Sequence, residues 1–101
     1  MKLTGKCKED FEKWVYIKYE LNNILELRKF NDYPESMQYG VYVDFFDSVG
    51  IYMSINPIEN DAYERMYQVY EDENHIISCE TRQEARTAAI EKENEIHNSK
   101  G

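Results

Sequence analysis

The sequence predicts an α+β fold in one domain, residues 1–101: N-terminal helices, a central buried helix, a small three-stranded antiparallel sheet and a C-terminal helix. Three observations predict it. A polar face with helical spacing runs through residues 34–50, apolar and polar residues alternate over residues 51–56, and a helix-capping pattern begins at Thr81. With 101 residues, of which 42% are hydrophobic, the chain is long enough for a modest core without a disulfide or a metal.

The segment 34–50 is the most apolar part of the chain, and its period favours a helix. Pro34 suits a first helical turn, and Gly50 suits the left-handed residue after a helix end. A strand is the alternative, because Val, Tyr and Phe favour the pleated state, but it would have no polar face. The helix would expose its small and polar residues to water: Ser36, Gly40, Asp44, Asp47 and Ser48. It would bury its bulky residues: Met37, Val41, Tyr42, Phe45, Phe46 and Val49.

An amphipathic helix is predicted before this segment, from Thr4 to Tyr19. We expect Trp14 to be its main anchor, because a buried large aromatic contributes roughly 2–3 kcal/mol. Asn22 and Asn23 predict a break, followed by a short helix over residues 24–30 and a loop over residues 31–34. The apolar stripe of the first helix consists of Phe11, Trp14, Val15, Ile17 and Leu21.

Three strands are predicted after Gly50. The first covers residues 51–56, with Ile51, Met53 and Ile55 facing inward and their neighbours outward, and Pro57 ends it. A turn at residues 58–61 leads to a second strand over residues 63–70, whose buried side the sequence leaves open. A polar turn at residues 71–74 precedes a third strand over residues 75–79. Short connections favour an antiparallel sheet.

The last helix begins with a capping box, in which Thr81 can accept from the amide of Glu84. We expect the helix to reach about Ile96 and residues 97–101 to fray. Small residues form a narrow face that allows close packing on the sheet: Ala85, Ala88 and Ala89, with Ile96. Charged residues form a surface that we expect to be solvated: Glu91, Lys92, Glu93 and Glu95.

The formal net charge is −8, and residues 51–101 carry −6 of it. Such a surface repels phosphate backbones and anionic membranes, and it attracts basic protein surfaces. No stretch approaches the roughly 20 apolar residues that span a bilayer. The first ten residues carry lysines but no apolar core of an export signal, so we interpret Cys7 and Cys79 as reduced thiols of a cytoplasmic protein.

Catalytic and metal-binding patterns are weak in this sequence, so we expect neither enzymatic activity nor a cofactor. His75 and Cys79 are the closest pair of zinc-ligand types, but a strand would separate them by about 13 Å. The acidic turn 71–74 lacks the ligand spacing of a calcium loop. Asp44 and Asp47 share a helical face and could act as paired carboxylates, although a solvated face is the simpler interpretation.

Two segments, SMQYGVYVDFFDSVGI at residues 36–51 and TRQEARTAAIEKENEI at residues 81–96, resemble a group of short uncharacterised bacteriophage and prophage proteins. Together they cover about a third of the chain. The resemblance implies a small accessory protein that acts in the cytoplasm of a bacterial host. Such proteins are often non-enzymatic, and some inhibit host defence systems. No catalytic signature accompanies the resemblance, and no functional residue is carried over from it.

We therefore predict a non-catalytic protein that binds a host protein. A sharper version is an acidic face that occupies the basic nucleic-acid channel of a defence nuclease. The alternatives are a self-associating protein, with a homodimer formed through the last helix or a sheet edge, and a small nucleic-acid-binding domain, which the negative charge disfavours. The predicted partner surface is a tyrosine-bearing sheet face with an acidic rim: Tyr52, Tyr67 and Tyr70, with Glu64 and Glu71.

Overall fold

The computed structural model describes residues 2–18, 30–59 and 64–100, and it confirms the α+β fold and the predicted order of the elements. None of the helices in these residues has the length and apolar character to cross a membrane. The elements are α1 (Gly5–Lys18), α2 (Glu35–Ser48), β1 (Met53–Glu59), β2 (Arg65–Glu71), β3 (Asn74–Cys79) and α3 (Arg82–Lys100).

The strands form an antiparallel sheet in the order β1-β2-β3, so β2 is central. Pro57 was predicted to end the first strand, and this is wrong: it lies inside β1 and pairs with Tyr67. A proline is tolerated there because β1 is an edge strand, which needs only one side of its backbone for pairing. The predicted turn at residues 58–61 is therefore wrong at Ile58 and Glu59, which belong to β1, while its other residues lie outside the described ranges.

The central segment is helical, as the polar spacing predicted, and all five small or polar residues of the predicted face are exposed. Tyr42, Phe45 and Phe46 are buried. Two bulky residues were wrongly predicted to be hidden, since Met37 is 54% exposed in the first turn and Val49 is 37% exposed just after the helix. Gly50 has a φ of 79°, the left-handed conformation that its position after the helix requires.

The helix α1 packs through an aromatic side chain, but not the predicted one. Phe11 is 4% exposed, whereas Trp14 is half-buried at the edge of the core. Ile17 is 81% exposed, so its place in the predicted stripe is wrong. The ring of Phe11 lies 4.9 Å from Tyr42 and 5.4 Å from Phe45, between centroids. Leu21, the predicted break at residues 22–23 and the short helix after it, apart from the buried Phe30, lie outside the described residues.

The start of α3 has the predicted cap, because the amide of Glu84 donates to Thr81 Oγ1 at 3.1 Å. Its end differs from the prediction, since the helix continues to Lys100 and residues 97–100 do not fray. The reason is contact with the start of α1. Asn98 Oδ1 accepts from the amide of Cys7 at 2.8 Å, and His97 Nε2 lies 2.8 Å from Asp10 Oδ2. The bond from His97, followed by that from Lys6, lowers the pKa of Asp10.

The long helix α3 contacts β1, β2, β3, α1 and α2, and the buried residues around it form two clusters. Its first half packs on the sheet in a small-residue core, and its second half packs on α1 and α2 in an aromatic core. The small-residue core consists of Val69, Cys79, Ala85 and Ala89. The aromatic core consists of Leu3, Cys7, Phe11, Val15, Phe30, Tyr42, Phe45, Phe46, Ile51 and Ile90.

Candidate partner-binding surface

The two faces of the sheet have different environments. Val69 and Cys79 point to the face that α3 covers, and both are buried. Because side chains alternate along a strand, their neighbours point to the opposite side, which we call the open face. It carries mainly polar and aromatic residues and one apolar pair, all exposed or half-buried: Tyr52 just before β1, Ser54, Asn56 and Ile58 from β1, Met66, Gln68 and Tyr70 from β2, and His75 and Ser78 from β3.

The structure divides the five residues predicted to bind a partner. Tyr52, which is 54% exposed, and Tyr70, which is half-buried, lie on the open face. Tyr67 lies on the covered face, where it packs against the small-residue core. Glu71 ends β2, and Glu64 is exposed just before that strand begins. The sequence could not assign the sides of β2, because both carry tyrosine and neither is purely apolar.

Tyr70 is held in place on the central strand of the open face, near the hairpin that joins β2 and β3. Its hydroxyl donates to Gln68 Oε1 at 2.7 Å, and its ring meets the His75 ring edge-on at 5.4 Å between centroids. A β-bulge in β3 places His75 opposite Tyr70 in the ladder. An aromatic side chain that is already oriented loses little rotamer entropy when a partner covers it.

A serine and a histidine also meet on the open face, since His75 Nε2 lies 3.0 Å from Ser78 Oγ. Nucleophilic catalysis would need a third group to orient the histidine and a site that excludes water. Both residues are exposed on an edge strand, and no carboxylate of the described residues bonds to the imidazole. We interpret the pair as a surface contact that orders the edge of the sheet.

Both ends of the sheet carry acidic side chains. Residues 51–80 hold seven acidic residues and one arginine, a net charge of −6, while residues 81–101 hold four of each sign. At one end, Glu71 adjoins the acidic hairpin of Asp72 and Glu73. At the other, Arg65 pairs with Glu59 at 3.9 Å, and Glu64 is exposed just before β2. The open face thus lies between two acidic ends and, within the described ranges, carries no carboxylate, lysine or arginine of its own.

Glu93 was predicted to be solvated, and the structure contradicts this. It is 2% exposed, and its Oε1 has no hydrogen-bond partner in the described structure. Burial, and then the nearby carboxylate of Asp47, raise the pKa of Glu93 to about 8. The sequence did contain a sign of this burial. Ala85, Ala89 and Glu93 are spaced four residues apart, so they lie on the same side of the helix.

Two arginines also escaped the sequence analysis. Arg82 and Arg86 lie beside Tyr67 and Tyr39 on the covered side of the sheet, at the start of α3. Their spacing of four residues places both on one side of a helix, which is the signal that could have identified them. From the sequence, we predicted only a helix cap in this stretch.

The described residues contain no group of three or more histidine, cysteine or acidic side chains arranged to hold a metal ion. Cys7 and Cys79 are both buried free thiols within these ranges. Burial is the main cause that raises the pKa of Cys7, to about 12. Comparisons with protein-family models, curated proteins and solved structures find no match to this chain.

Proposed function

We propose that this protein is a non-catalytic binding protein that docks the open face of its sheet on a basic surface of a partner protein. The observation that carries the proposal is the contrast between the two faces. One is covered by α3, and the other presents aligned aromatic and polar side chains between acidic ends. Tyrosine is enriched among the residues that dominate interface energetics, because it offers a large contact area with a polar tip.

Charge supports a basic partner. Most of the net charge of the molecule belongs to the segment that forms the sheet, and none of its residues is a lysine. Complementary charge accelerates encounter and selects the orientation in which acidic ends meet basic groups. Among the residues that the structure describes, no carboxylate, lysine or arginine lies on the open face, so the partner would bury tyrosine area there without desolvating carboxylates.

The resemblance of two segments to phage proteins suggests which partner to test first. A host protein with a basic nucleic-acid-binding surface, such as a defence nuclease in the bacterial cytoplasm, has the chemistry that the acidic ends would recognise. In that version, the protein inhibits the nuclease by occupying the surface that its nucleic-acid substrate needs.

The test uses the full chain and two variants that each lose one exposed tyrosine. Tyr52→Ser alters the open face, and Tyr33→Ser removes a tyrosine of similar exposure, 45%, in the loop before α2. A partner is first captured from host lysate at low and physiological salt, identified and purified. We expect Tyr52→Ser to weaken its binding by roughly 10-fold or more, as for a hot-spot residue, and Tyr33→Ser to leave it unchanged.

Three results would count against this function. The first is no partner above background at either salt concentration. The second is an equal loss of binding in both variants, which would indicate a surface other than the open face. The third is a dimer in light scattering that Tyr52→Ser dissociates, which would make a second copy of the chain the occupant. If the partner is a nuclease, wild-type protein should slow its cleavage and Tyr52→Ser should not.

A further inference from the structure

A cleft opens on the covered side of the sheet, away from the open face. It lies where α2, the first two strands and the start of α3 meet, and its volume is about 250 Å³. Its lining combines two cations, two aromatic rings and two apolar side chains: Arg82 and Arg86, Tyr39 and Tyr67, Ile55 and Pro57.

The two arginines are held by aromatic rings. The guanidinium carbon of Arg82 lies 5.3 Å from the ring centroid of Tyr67, and that of Arg86 lies 5.5 Å from the ring centroid of Tyr39. These are cation–π distances, and they orient each guanidinium without neutralising its charge. Within residues 2–18, 30–59 and 64–100, neither arginine forms an ion pair with a carboxylate.

The cleft thus gathers two of the 12 basic side chains of a chain whose net charge is −8. Arg82 is the first residue of α3, and Arg86 follows one turn later. The helix dipole places partial positive charge at this end, so both arginines lie where a cation is unfavourable and an anion is favourable. Both side chains line the cleft, so an anion in it would meet two guanidinium groups that can donate hydrogen bonds to it.

We propose that this cleft binds the phosphomonoester group of a small organic phosphate. A phosphomonoester carries about −1.5 to −2 charges at neutral pH, which matches two guanidinium groups, and its oxygens fit their paired donors. Ile55, Pro57 and the tyrosine rings would contact the organic part. The volume lies just below the usual range for ligand pockets, about 300–1,000 Å³, so the ligand is no larger than a mononucleotide.

The inference is independent of the proposed function, because the cleft and the open face lie on opposite sides of the sheet. The experiment is a titration of the full chain at low salt with three probes, followed by NMR or calorimetry. The probes are inorganic phosphate, a nucleoside 5′-monophosphate and the corresponding nucleoside. We expect the monophosphate to bind most tightly, inorganic phosphate to bind more weakly, and the nucleoside not to bind at millimolar concentration.

Variants connect the binding to the two arginines. Arg82→Gln and Arg86→Gln should each weaken monophosphate binding by roughly 10-fold or more, the loss expected for a charge-assisted hydrogen bond. Arg86→Lys retains the charge without the paired donors and should show a smaller loss. The matched control is Arg65→Gln, which removes an arginine that pairs with Glu59 at the start of β2 and does not line the cleft. It should bind as wild type does.

Circular dichroism of each variant shows that a loss of binding is not a loss of fold. Equal affinity for monophosphate and inorganic phosphate would support a phosphate site. It would contradict the proposed contact between the cleft and the organic part of the ligand. The proposal is overturned if no phosphate probe binds at millimolar concentration, if the nucleoside binds as tightly as its monophosphate, or if Arg65→Gln weakens binding as much as Arg86→Gln.

Discussion

The two cores on either side of α3 are built from opposite kinds of side chain. In the aromatic core, Phe11, Phe45 and Phe46 meet ring against ring, and all three are at most 4% exposed. In the small-residue core, Ala85 and Ala89 lie against Val69 and Cys79 of the sheet. The same helix therefore packs against large aromatic side chains in its second half and places small alanines against the sheet in its first half.

The difference has a structural consequence. Large rings remove much apolar area from water, so the aromatic core supplies most of the hydrophobic stabilisation. Alanines bury little area, but they let the axis of α3 come close to the strands, and the space beside this contact becomes the cleft of Arg82 and Arg86. The aromatic core thus holds the fold together, while the small-residue core shapes the surfaces to which we assign function.

The largest expected effect comes from removing a ring from the aromatic core. Phe46 is fully buried, and its ring lies 5.1 Å from that of Phe45 between centroids. Phe46→Ala should lower the free energy of unfolding by about 3–5 kcal/mol, because it removes apolar contacts and leaves a cavity. Urea unfolding followed by circular dichroism measures the change.

Met37→Ala is the control for Phe46→Ala. Met37 lies on the same helix and is 54% exposed, so its truncation should change the free energy of unfolding by less than about 0.5 kcal/mol. Similar losses in the two variants would show that α2 does not bury the face described here.

The second effect concerns Glu93, which lies on α3 between the two cores. Its pKa is about 8 in the folded protein, against an ordinary value of 4.5. Between pH 4.5 and pH 8, the folded state therefore keeps the proton on this carboxyl, whereas the unfolded state releases it. Stability should therefore fall as the pH rises through this window. Besides Asp47 on α2, Cys7 on α1 and Tyr39 on α2 face this carboxyl. Burial is the main cause that raises the pKa of each, and the Glu93 carboxylate raises both further.

Glu93→Gln removes the ionisation and keeps the shape. Near pH 5 the variant should match wild type, and near pH 8 it should be more stable by about 2–4 kcal/mol. Glu91→Gln makes the same charge change at an exposed position of α3, so its difference from wild type should not grow with pH. A constant difference between Glu93→Gln and wild type from pH 5 to pH 8 would contradict the burial of this carboxyl.

The sequence predicted the elements that depend on local signals. The cap at Thr81, the helical polar face before Gly50 and the inward alternation of Ile51, Met53 and Ile55 all act within a few residues, and each was confirmed. What escaped prediction depends on contacts between distant parts of the chain. The end of α3 is ordered by Asn98, which bonds to a residue 91 positions earlier.

The candidate site shows the same limit. Alternation separates the two faces of a strand, but only the position of α3 decides that Tyr67 is covered and Tyr70 is not. The burial of Glu93 likewise depends on tertiary packing, because α1 and α2 approach it from two sides. From sequence alone, a charged residue such as Glu93 is expected to be exposed to solvent. The cleft combines residues from four elements, and no local pattern brings Tyr39 to Arg86.

The smallest expected effect tests the small-residue core directly. Ala89 is fully buried against the sheet, so Ala89→Leu should force α3 away from the strands and lower the free energy of unfolding by about 1–3 kcal/mol. Ala88→Leu, at the half-buried neighbouring position, should cost less, because a larger side chain can extend toward solvent there. Equal urea midpoints for the two variants would show that α3 does not approach the sheet through Ala89. If the close approach shapes the cleft, Ala89→Leu should also weaken phosphate binding, whereas Ala88→Leu should preserve it.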